Sequence, residues 1–145
     1  MSACLKLIVI TQQNKSVCAD IEIVGEPRVV SQTLASSLIT LRPQIVHHAC
    51  RSGGTKLFGD SIVGALLPHA VEHIAIDLLV ELFSHPTPLM FAGATTWLDH
   101  DAARMRVRVG CTNDSPPKYF AATEAALIEA VHLINRLLME DKECD

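Results

Sequence analysis

The sequence predicts an α+β domain with the element order β-β-α-α-β-β-α. Three observations lead there. The chain opens with two β-rich stretches, residues 5–11 and 19–24, joined by a short polar segment that suggests a hairpin. It closes with residues 121–139, where Ala125, Leu127, Ile128, Val131, Ile134, Leu137 and Leu138 recur at helical spacing. Between these ends no low-complexity stretch or linker intervenes. One mostly antiparallel or mixed sheet, with helices packed on one face, is therefore expected over residues 1–145.

Each element has its own reason. In the second strand Asp20 and Glu22 alternate with Ile21 and Ile23, as a half-buried strand requires. Gly25-Glu26-Pro27 breaks the pattern. A helix over residues 29–41 follows from Val30, Leu34, Leu38 and Leu41, and Pro43 ends it. Its polar face is Ser and Thr rather than charged, so a second subunit is expected to cover it. Residues 47–54 read as a loop with His47, His48 and Cys50 ahead of two glycines. Asp60 or Ser61 would cap a long central helix, and Pro68 either kinks that helix or sits in the first turn of one starting there. Residues 84–88 end it. A strand is expected over residues 89–98, a turn at Asp99-His100-Asp101, and a second strand over residues 104–109. In the latter Arg104, Arg106 and Arg108 share one face and Met105, Val107 and Val109 the other. Residues 110–118 read as a loop, and residues 140–145 as a charged, frayed tail.

Composition narrows the function classes. The chain is 49% hydrophobic and 19% charged, which excludes a disordered chain, and aromatic residues are scarce at 4%, so the core is aliphatic. A net charge of −4 argues against a general nucleic-acid binder. Every long apolar run is interrupted by His, Glu or Asp, and the apolar N-terminus lacks a basic region and a cleavage site. No membrane association is expected. The five cysteines are scattered, without a C-x-x-C pair, and read as reduced thiols of a cytoplasmic protein. The apolar surplus points to a homo-oligomer, a dimer first of all.

The chemistry concentrates in Pro68-His69-Ala70-Val71-Glu72-His73-Ile74-Ala75-Ile76-Asp77. On a helix, with His69 at zero, Glu72 falls near −60°, His73 near +40° and Asp77 near +80°, at about 100° per residue. The rest of the circumference is aliphatic, so the helix is expected to be buried. Titratable groups in such a place require a partner or a metal. Histidines at i and i+4 stand one above the other and can share an ion, and Glu72 between them can act on a bound water. The motif H-x-x-E-H is the inverted form of the zincin motif. Asp77 lies about 12 Å along the axis from His69, so its expected role is to accept the free N–H of His73. The third ligand should come from elsewhere: His48 first, with Cys50 and His47 behind it. Glu72 as a ligand is the other option. Arg104, Arg106 and Arg108 are read either as contacts for an acidic ligand or as the solvent face of a strand.

His48-Ala49-Cys50, a glycine-bearing loop, and then His69-x-x-Glu72-His73-x-Ala75-x-Asp77-Leu78 resemble the N-terminal domain of cyanophycin synthetases, over residues 28–140. There an H-x-C element precedes a G-H-x-x-E-H-x-A-x-E-L helix, followed by a hairpin and a helix. The resemblance implies a domain that engages the aspartate–arginine polymer. In some members it also implies a metal-dependent site that cuts the polymer. On this reading the chain is that domain alone, without the ATP-grasp and Mur-ligase-like domains. Three features depart from the pattern. Pro68 stands in place of the glycine and Asp77 in place of the glutamate, and Gly93-Ala94-Thr95-Thr96 lacks both arginines of a G-R-T-R element. The last difference argues against the family's polymer.

Two functions follow as expectations. One is a metal-dependent hydrolase of a peptide or amide bond, with Zn²⁺ on His69, His73 and His48, Glu72 as catalytic base, and Asp77 and Cys50 around the ligands. The other is a non-catalytic binding or assembly module in which the His/Glu cluster is structural.

Overall fold

The computed structural model describes residues 2–50, 56–84, 90–111 and 118–143. The expected loop glycines Gly53 and Gly54, residues 85–89 and most of the loop after Cys111 lie outside them. The fold is α+β, with one antiparallel sheet of order β1-β2-β6-β5. Strands β1 (Cys4–Gln13) and β2 (Ser16–Val24) form the hairpin, turned by Asn14 and Lys15. Asn14 takes φ 50°, a left-handed conformation that asparagine tolerates. Strands β5 (Phe91–Asp99) and β6 (Arg104–Cys111) form a second hairpin, and β6 pairs with β2.

The period-two pattern decides the two faces of this sheet. Leu5, Val17, Ala19, Ile21, Ile23, Val107 and Val109 point into the aliphatic core. On the other face Asp20 lies directly opposite Arg106 and Glu22 opposite Arg104. Asp20 accepts from Arg106 at 2.7 and 3.0 Å, and Glu22 accepts from Arg104 at 3.0 Å. Two of the three stripe arginines are thus matched within the sheet. Arg108 faces Cys18 and has no carboxylate partner among the described residues.

Helix α1 (Gln32–Leu41) starts three residues later than its apolar spacing suggests. The reason is Ser31, whose hydroxyl accepts from the Leu34 N–H at 3.1 Å and fixes the N-terminus there. Arg42 leaves the helix at φ −133°, as a residue before proline must, and Pro43–His47 forms a 3-10 turn. The region read as a loop carries more order than expected. Strand β3 (Ala49–Cys50) pairs with β4 (Lys56–Leu57), and a single helical turn α2 (Phe58–Ser61) follows.

The central helix is not continuous from residue 62. Helix α3 (Leu67–Leu82) begins next to Pro68, whose missing N–H is not needed in a first turn. Its first eleven residues are buried almost without exception, as the all-round apolar pattern predicts. Helix α4 (Lys118–Glu143) runs further at both ends than residues 121–139, and the helix includes most of the stretch expected to fray. Helix α3 lies over β5 and β6, α4 lies over β1 and β2, and the two helices pack on each other.

One polar side chain ties α4 to the edge of the sheet. Asn135 accepts the Leu5 N–H at 2.7 Å and donates to the Leu5 carbonyl at 2.9 Å, replacing the strand neighbour that β1 lacks on that side. Asn135→Ala leaves both backbone groups without this partner. It is expected to lower stability by about 1–3 kcal/mol in a urea titration, with the fold retained. A change within error would show that water replaces the amide at no loss.

Candidate metal centre

Three segments bring the polar groups together. After the 3-10 turn the chain is extended at His48 (φ −66°, ψ 134°), so His48 and Cys50 project to the same side while Ala49 faces out. Both meet the first two turns of α3. There His69 and His73 stand one turn apart, with Nε2 atoms 3.2 Å from each other. The Cys50 sulfur lies 3.6 Å from His69 Nε2. Cys50, His69 and His73 thus form a group whose donor atoms all lie within 4.8 Å of one another and could hold a metal ion.

The arrangement alters the expected roles. Cys50, expected to stand behind the ligands, is a member of the donor group, and His48, expected as the third ligand, is not. His48 instead sits behind His73, with the two Nδ1 atoms 3.2 Å apart. Its other nitrogen is 3.6 Å from Asp77 Oδ1. Asp77 therefore reaches His73 through His48 rather than directly. His47 is exposed on the 3-10 turn and takes no part.

Arg42 was not legible as a site residue. It donates from Nε to Asp77 Oδ2 at 2.6 Å and from a terminal nitrogen to Glu81. Its position follows from Pro43, which ends α1 at the point where the guanidinium can reach α3. Burial by itself would raise the Asp77 carboxyl, but hydrogen bonds from His48 and Arg42 hold it below its ordinary value. Phe58 is the second residue that the sequence did not mark. It is fully buried and stacks on the His73 ring, with centroids 4.0 Å apart and planes at 17°.

Glu72 points to the other side of the pair, toward the sheet. Its Oε1 accepts from Thr95 Oγ1 at 2.7 Å, and its Oε2 is 4.0 Å from His73 Nε2. Burial pushes this carboxyl above its ordinary value, against the opposing pull of Thr95 and His48. Room for it is made by Gly93. A Cβ there would stand 2.8 Å from Glu72 Cγ and 2.8 Å from the Arg108 carbonyl. The donor group and Glu72 border an open cleft of about 1450 Å³, walled by Arg42, Ile76 and Val80 on one side and by β5 on the other.

Burial lowers the His69 imidazole, and it pushes His73 down to about 3, with His69 and His48 adding to the effect. Both rings are neutral at physiological pH, the form in which they act as ligands or hydrogen-bond partners. Comparison with protein families and with curated proteins finds no match to this chain. Among the described residues no helix is long and apolar enough to cross a membrane.

Two outcomes follow. Above pH 6.5 His73 is neutral in folded and unfolded chains alike, whereas below it only the unfolded chain takes the proton. Metal-free protein should therefore lose stability as pH falls from 6.5 toward about 3. The slope from this one group is at most about 1.4 kcal/mol per pH unit, read from urea midpoints against His73→Leu. Equal slopes in the two proteins would contradict the assignment. Gly93→Ala forces Glu72 or the strand to shift and should cost about 1–3 kcal/mol by the same titration, whereas Ala94→Ser, on the exposed side, should be near neutral.

Proposed function

We propose that the protein is a metal-dependent hydrolase of a peptide or amide bond, of the kind the resemblance to the cyanophycin synthetase N-domain implies. The observation that carries this reading is the juxtaposition of Cys50, His69 and His73 with the Glu72 carboxyl at the border of an open cleft. Zinc is the ion that best suits the group. Nitrogens about 2.0–2.1 Å and a sulfur about 2.3 Å from one tetrahedral zinc lie about 3.3 Å apart for N and N and about 3.6 Å apart for N and S. The separations of 3.2 and 3.6 Å are close to these values. Three protein donors leave a fourth position for water or substrate.

The ion would supply Lewis acidity toward a carbonyl oxygen and toward water. The chain's own residues do the rest. Glu72, with its raised proton affinity, takes a proton from the attacking water and gives it to the leaving nitrogen. Thr95 fixes one carboxylate oxygen and leaves the other toward His73. Asp77, held by Arg42, orients His48, and His48 sets the tautomer of His73 by occupying its Nδ1. Gly93 leaves Glu72 the room that a Cβ would take, and Thr95 donates to its Oε1.

A second reading has its own observation. The contacts Asp77–His48–His73–His69–Cys50 form a continuous polar chain without any ion. In that case the cluster is structural and the domain binds or assembles.

Zinc-loaded protein should release amines from a panel of short peptides and isopeptides. Glu72→Gln should keep its zinc and lose activity by about 10²–10⁴-fold. Full activity in Glu72→Gln would remove Glu72 from its role. No hydrolysis by the loaded native protein, together with unfolding of metal-free His73→Ala, would favour the structural reading.

A further inference from the structure

The cleft has a wall that the catalytic reading does not use. It is lined by Met90, Phe91, Ala92, Gly93, Ala94, Thr95, Thr96 and Trp97, eight residues in succession. Successive residues of a strand point to opposite faces of the sheet, so a cleft that touches all of them runs along the strand's edge. Strand β5 is the last strand in the order β1-β2-β6-β5, and among the described residues nothing pairs with its outer side. The backbone N–H and C=O groups on that side therefore face the cleft. An edge of this kind is a template for an added strand.

Glu72 marks a point along this strand. Thr95 donates to it, and a Cβ at Gly93 would stand 2.8 Å from its Cγ, both near the middle of the nine-residue strand. At about 3.3 Å per residue, β5 extends on both sides of that point by roughly two to four residues. The opposite wall offers Leu41, Ile76 and Val80 to side chains. Among the described residues the one lysine or arginine lining the cleft is Arg42, and it is already held by Asp77 and Glu81. Among the described residues no lysine or arginine of the lining is left over for an acidic side chain. Where the family's element carries arginines, Ala94 and Thr96 leave the edge without charge.

We infer that the cleft binds its substrate as an extended peptide added to the outer edge of β5, uncharged and with apolar side chains at alternate positions. The carbonyl beside Glu72 is the one attacked. This rests on the proposed hydrolase, and it names the substrate class of the same site: a main-chain peptide strand rather than an acidic polymer with a side-chain linkage.

The test uses zinc-loaded Glu72→Gln protein and peptide hydroxamates. The hydroxamate chelates the ion and so fixes the register of the attached peptide. Acetohydroxamate alone reports the ion. A Leu-Ala-Leu-Ala extension should tighten binding about tenfold or more by calorimetry, since each added backbone bond and apolar contact contributes. N-methylation of every second amide should remove most of that gain, whereas N-methylation of the amides between them should change it by less than about threefold. Alternate N–H groups of β5 should become protected from exchange by NMR. Acetohydroxamate binding with no gain from the extension, or with equal effects at every amide, would overturn the strand and leave the metal site standing. No acetohydroxamate binding would overturn the metal site and the inference with it. A glutamate-for-leucine extension that binds tighter would overturn the uncharged substrate.

Discussion

Helix α3 places Glu72, His73 and Asp77 in an aliphatic core, and everything around the site answers the demand those groups make. An unpaired polar side chain in such a core costs several kcal/mol. Here each has a partner from a different element. Thr95 of β5 serves Glu72, Arg42 from the end of α1 serves Asp77, and His48 and Cys50 from the extended segment serve His73 and His69. The helix thus selects the ends of its neighbours. Pro43 stops α1 where Arg42 is needed, and Gly93 lets the strand approach where a methyl group would push Glu72 away. Packing and polar pairing are one constraint in this molecule.

The same constraint gives the site its chemistry. Burial keeps both imidazoles neutral and raises the proton affinity of Glu72. Neutral rings are what a cation needs as ligands, and a carboxylate of raised affinity is what a proton shuttle needs. The donor group and the open cleft meet at one edge of the domain, so the buried cluster is reached from solvent beside β5. Among the described residues nothing pairs with the outer edge of β5 there, and in the proposed binding mode its backbone groups meet those of the substrate.

Much of this was legible in the residues. Alternation in β2 and β6 fixed their faces, and the spacing of His69, Glu72 and His73 fixed their common side of a buried helix, because both are local periodicities. The placement of Cys50 was not legible. His48 and Cys50, two residues apart, share the side opposite Ala49 only if the chain is extended there, and the sequence around Gly53 and Gly54 reads as a loop. Which of the two reaches His69 depends on how the segment docks, a tertiary fact. Arg42 escaped notice for the same reason, since its partners are 35 and 39 residues away. The start of α3 was ambiguous because a proline is tolerated in a first turn and disruptive in an interior one. The arginine stripe had two readings, and Asp20 and Glu22 opposite it match two of its three members within the sheet.

In the proposed centre Cys50, His69 and His73 together bind one metal ion. Cobalt substitution tests it most directly, because a thiolate ligand gives Co²⁺ an intense charge-transfer absorption that imidazole and carboxylate ligands do not. One Co²⁺ per chain is expected, with that band present and displaced by zinc. Cys50→Ser should abolish the band, and His48→Gln should keep it. A cobalt complex without the band, a band that survives Cys50→Ser, or no stoichiometric binding would contradict it.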